Sequence, residues 1–121
     1  MANMWYMSPS DTNIQVIQRD PNKTMKSYTH SVRTECLTFS KDNKAMYAIF
    51  MDDEGSYKNL PVNDCASKLL LKIKTINWGV YHLTGWYTVA KYEYDDDGNE
   101  TQVDMDVTPK EFLSFCRKCN K

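Results

Sequence analysis

Glycine and proline are scarce in this chain, four of each in 121 residues, so its turns can nearly be counted from Gly55, Gly79, Gly85, Gly98, Pro9, Pro21, Pro61 and Pro109. Long hydrophobic runs are missing altogether. No window of about 18 apolar residues exists, which excludes a conventional membrane-spanning helix. The amino-terminal MANMWYMSPSD carries neither a basic lead nor an apolar core of signal-peptide length, so a cytoplasmic protein is expected, in the host cytoplasm if it is viral. Catalytic fingerprints are also lacking: there is no G-x-S-x-G, no P-loop and no dinucleotide-binding glycine pattern. A non-enzymatic role is therefore expected.

What is present is ordinary globular composition, 41% hydrophobic and 26% charged, with a net charge of −1. One domain spanning 1–121 is expected at this length. The charge is unevenly spread. Residues 76–107 carry seven negative groups and one positive, and 108–121 carry four positive and one negative. All seven carboxylates lie between Glu93 and Asp106, with no Lys or Arg among them. Such a run is either a solvated loop or a patch that meets a cationic partner. It argues against a general nucleic-acid binder, which needs a contiguous basic surface.

The periodicities predict an α+β fold, a mainly antiparallel sheet of about five to six strands with helices over about 63–76 and 109–119. Strands are expected over 13–19, over 34–40 and 45–52 as a hairpin, over 80–83 and 86–94 as one bulged strand, and over 101–107. Lys23 to Arg33 shows no clear period and reads as a loop. The segment 63–76 is ambiguous, because Val62, Ala66, Leu69, Leu70 and Ile73 keep helical spacing while Leu69, Leu71 and Ile73 alternate with lysines. Its length, and Asn63 or Asp64 as N-cap, favour helix. Thr108-Pro109-Lys110-Glu111 is a capping box with proline in the first turn, ahead of a stripe of Phe112, Phe115, Cys116 and Cys119.

Cys116 and Cys119 form a C-x-x-C, but at the carboxyl end of their helix, where the dipole does not lower a thiol pKa. They read as small buried hydrophobes. A zinc site would need two further ligands from Cys36, Cys65, His30 or His82, none at metal spacing. Asp95-Asp96-Asp97-Gly98-Asn99 resembles the opening of an EF-hand calcium loop, with Asp106 at its twelfth position. Glu100 stands where that loop wants glycine and a strand precedes it, so a hairpin turn is expected instead. No metal and no cofactor is expected.

The partner-binding residues expected from the sequence are Glu93, Asp95, Asp96, Asp97, Glu100, Asp104 and Asp106, with Trp86, Tyr92 and Tyr94 as the aromatics that concentrate interface energy. In composition, short, rich in Asn and Tyr, with an acidic patch and no catalytic motif, the chain is similar to small bacteriophage proteins that block a host factor, including anti-restriction and anti-CRISPR proteins. That resemblance implies an inhibitor whose carboxylates occupy a cationic protein surface. The alternative is a nucleic-acid-binding regulator using the basic residues of 23–44 and 68–74.

Overall fold

In the computed structural model, which describes residues 2–29, 33–38, 45–52 and 58–118, one antiparallel sheet organises the chain. Its strands are β1 (Asn3–Met7), β2 (Gln15–Gln18), β3 (Arg33–Thr38), β4 (Ala45–Met51), β5 (Tyr87–Tyr94), β6 (Glu100–Val103) and β7 (Arg117–Lys118). The helices are α1 (Lys26–Thr29), α2 (Asp64–Leu70) and α3 (Pro109–Phe115). The spatial order is β2-β1-β5-β4-β3-β7, with β6 on β5. The fold is α+β. Residues 41–44 between the two strands of the expected hairpin, residues 53–57, His30 and Cys119 lie outside the described residues. No described helix is long and apolar enough to cross a membrane.

Pleat alternation divides the core in two. Trp5, Met7, Tyr47, Ile49, Tyr87 and Val89 face the principal core, which α2 and α3 close with Leu69, Leu70 and the fully buried Phe112. Phe112 meets Tyr47 and Trp5 edge-on at centroid distances of 5.1 and 5.3 Å. Met4, Met46, Ala48, Ala90 and Tyr92 face the other way into a smaller core covered by Met25 and Tyr28 of the 20–29 segment. Lys23 to Thr29, a described part of the stretch expected as a loop, includes the single turn α1, whose Thr29 is fully buried and donates to the Met25 carbonyl.

Asn63 ties the principal core together. Its side chain accepts from the Ala66 N–H at 2.9 Å as the α2 N-cap, while Nδ2 donates to the carbonyls of Met7 at 2.9 Å and Gly85 at 2.8 Å. All of this is fully buried. Helix, not strand, is thus the structure of 63–76, but α2 stops at Leu70 instead of running to 76. Three-residue turns follow, from Ile73 N–H to Leu70 O and from Ile76 N–H to Ile73 O. Three residues per turn put Ile73 and Ile76 on one side, and both are buried.

Three further boundaries differ from expectation. Residues 80–83 are not a strand. Gly79 and Gly85 hold positive φ of 68° and 86°, and Leu83 N–H donates to the Ser67 hydroxyl, so the chain turns along α2 before β5 begins at Tyr87. The strand expected over 101–107 ends at Val103, because β1 and β6 share one edge of β5: β1 pairs with 87–89 and β6 with 91–94. The helix expected over 109–119 keeps its capping box, Thr108 Oγ1 accepting from Glu111 N–H at 3.2 Å and Glu111 Oε1 from Thr108 N–H at 3.1 Å. It ends at Phe115, because Cys116 turns extended and Arg117 and Lys118 add an edge strand to β3. Phe112 and Cys116, four residues apart, lie on the core side, whereas Phe115 is exposed.

Candidate protein-binding surface

The acidic hairpin is built by its own first aspartate. Asp95 and Asn99 close the loop through Asp95 N–H to Asn99 O at 3.0 Å, and Gly98, at φ 81°, supplies the left-handed residue the turn needs. The Asp95 carboxylate then accepts from Asp97 N–H at 2.9 Å, Asn99 N–H at 2.8 Å and Asn99 Nδ2 at 3.0 Å. Donation from Asn99, backbone first and then side chain, holds this carboxyl below the usual range. Asp95 is therefore an organiser of the tip, and its hydrogen-bonding capacity is directed inward.

Two more of the seven carboxylates are also engaged. Asp104 Oδ1 accepts from Asn3 N–H at 2.9 Å, and Met105 N–H donates to Asn3 Oδ1 at 2.7 Å, stitching the chain after β6 to the start of β1. Asp106 Oδ1 pairs with Lys91 Nζ at 3.2 Å. Glu93, Asp96, Asp97 and Glu100 remain, all exposed and none ion-paired among the described residues. Four like charges within eight residues make a focused negative field. It decays over roughly 8 Å at physiological salt, so it steers an encounter and selects a partner by sign.

The structure disperses the three aromatics expected to flank this tip. Tyr92 is buried in the smaller core, and Tyr94, half-buried, directs its hydroxyl to Met46 Sδ at 3.3 Å beside the tip. Trp86 lies eight residues back along β5, roughly 26 Å away at about 3.3 Å per residue. There it lines an open cleft with Tyr6, Pro9 and Pro61. Only Tyr94 is thus in reach of a partner seated on the hairpin.

The described lysines of 23–44 and those of 68–74 do not form one surface. Lys23 and Lys26 belong to the 20–29 segment, over the smaller core, whereas Lys68, Lys72 and Lys74 belong to α2 and the turns after it, over the principal core. The sheet stands between them. Cys116 is partly buried and pushed up to about 12, and burial also raises Cys65, the opposite of what an active dithiol requires. His82 is exposed. Among the described residues no three His, Cys, Asp or Glu side chains converge as metal ligands would.

An exposed apolar loop was not among the features expected from the sequence. Residues 77–81 turn outward, with Tyr81 92% exposed and Val80 42% exposed beside the half-buried Trp78. The asparagine and glycine flanking Trp78 were the available signal for a loop there. Compared with protein-family models, with curated proteins and with solved structures, the chain matches none of them.

Proposed function

We propose that the chain is a small non-enzymatic protein-binding module, a phage-type inhibitor of a host nucleic-acid-handling or defence protein, which presents its acidic hairpin to a cationic surface of that partner. The observation that carries this reading is the segregation of charge. Glu93, Asp96, Asp97 and Glu100 project from a tip whose shape Asp95 fixes, while Lys23 and Lys26 lie on the opposite side of the sheet from Lys68, Lys72 and Lys74. A preorganised anionic tip suits a surface that otherwise meets phosphates. The carboxylates govern association rate and sign selection, and Tyr94, next to them, offers amphipathic contact area.

Titration of the purified chain with labelled DNA and RNA at physiological salt separates this reading from the nucleic-acid alternative. No specific binding is expected. Tight binding that disappears in Lys23→Gln/Lys26→Gln or in Lys72→Gln/Lys74→Gln would replace the inhibitor reading with direct phosphate recognition.

A further inference from the structure

Residues of α2, of α3 and of the turn between β1 and β2 line an open cleft of about 500 Å³. Its floor is aliphatic, made by Leu69 of the principal core and by Ile14 and Leu113 packed against that core. Its rim is cationic. Lys68, Lys72 and Lys110 line the cleft, all three exposed, and none has an ion pair among the described residues.

The helical register explains the pairing of these features. Cys65, Lys68, Leu69 and Lys72 follow one another at three- and four-residue spacing, so a single stripe of α2 and the turn after it carries both apolar floor and charged rim. Lysine stems add methylene surface to the wall while their ammonium groups stay in water. No carboxylate lines the cleft. Of the carboxylates next to lining residues in sequence, Glu111 closes the α3 capping box and Asp11 accepts from Ser8 N–H and Gln15 Nε2, while Asp64 is exposed in the first turn of α2 and does not line the cleft.

We propose that this cleft binds a small amphipathic anion, an aliphatic carboxylate whose chain lies on Ile14, Leu69 and Leu113 and whose head group meets the lysines. The volume falls in the range of small-molecule sites, and a mostly apolar lining with a few convergent polar groups is their usual make-up. No residue lining the cleft belongs to a strand, so its walls offer a peptide no ladder to extend. The cleft shares no residue with the acidic hairpin, so it stands apart from the inhibitor reading.

Calorimetric titration of the full chain with decanoate tests it, using decanol and acetate as probes that keep only the chain or only the charge. Saturable one-to-one binding of decanoate is expected, with decanol weaker by about tenfold, the worth of three exposed charge contacts, and acetate not bound. Lys68→Gln/Lys72→Gln/Lys110→Gln, all at exposed positions, should weaken decanoate by a similar factor with unfolding unchanged, and Leu113→Asn should weaken decanoate and decanol alike. Absence of saturable binding, equal affinity for decanol, or an unchanged affinity in the lysine variant would overturn the assignment. So would an acidic amphipathic peptide that decanoate cannot displace, since it would assign the cleft to a protein segment.

Discussion

Asn63 concentrates more of the fold in one side chain than any charged residue does. Its carbonyl oxygen caps α2, and its amide nitrogen satisfies the carbonyls of Met7 and Gly85, which are otherwise distant in sequence. Asn63→Ala removes a cap and leaves two buried acceptors without a donor, for an expected loss of about 2–4 kcal/mol in urea denaturation. Asn63→Asp keeps the cap oxygen but turns a carboxylate toward those carbonyls, and it should be no milder. A loss confined to the magnitude of a surface cap would mean the amide nitrogen contributes nothing. Thr108→Ala provides that surface comparison, with about 1 kcal/mol expected because the α3 capping box is solvent-exposed. At the tip, Asp95→Ala should release hydrogen-exchange protection at Asp97 and Asn99, whereas Asp96→Ala should not, because only Asp95 accepts from those amides.

At the scale of elements, what could be read from the chain depended on whether the signal was local. The Thr108 box, the Asp-Gly turn at 97–98 and the apolar run of β4 are each written within a few residues, and each forms as its local chemistry dictates. Ends set by a distant partner were not legible. The strand after Glu100 stops where β1 already occupies the edge of β5, and α3 stops where Arg117 and Lys118 reach β3. The acidic tip was legible as charge, but the engagement of Asp95, Asp104 and Asp106 depends on Asn99, on Asn3 and on Lys91 in three dimensions. Trp86 likewise sat near the carboxylates only in sequence, and Tyr92, close to Glu100, is buried in the smaller core. Arg117→Pro probes the edge strand: it removes a backbone donor from β7, and protection of β3 amides in hydrogen exchange is expected to fall while α3 stays intact.

The whole molecule carries several groups that burial keeps neutral, and this fixes the direction of its alkaline response. The thiol of Cys116 and the phenol of Tyr87 are each pushed up to about 12, chiefly by burial, from ordinary values of 9.0 and 10.0, and burial raises Tyr47 as well. A raised folded pKa means the unfolded chain gives up its proton first as pH rises. The stabilisation is complete below about pH 9 and drains away between 9 and 12, the window set by those ordinary and shifted values. The urea midpoint should therefore fall steadily across that window, and a flat midpoint to pH 11 would show that these groups are solvated in the folded chain. At neutral pH the same shift leaves Cys116 a thiol, so its alkylation should be much slower than that of a denatured control.

Function also belongs to this scale, since no single side chain carries it. Four carboxylates stand exposed at the tip, and the sheet keeps Lys23 and Lys26 apart from Lys72 and Lys74. The most direct measurement is quantitative capture from a bacterial lysate on three immobilised proteins: the wild type, Glu93→Gln/Asp96→Asn/Asp97→Asn/Glu100→Gln, and Lys23→Gln/Lys26→Gln/Lys72→Gln/Lys74→Gln. Asp95 is left in place so that the loop keeps its shape. The expected result is a basic, nucleic-acid-handling protein held by the wild type and the lysine variant, released at high salt, and absent from the carboxylate variant. Retention of the same protein by the carboxylate variant, or retention of nucleic acid that only the lysine variant loses, would contradict the account.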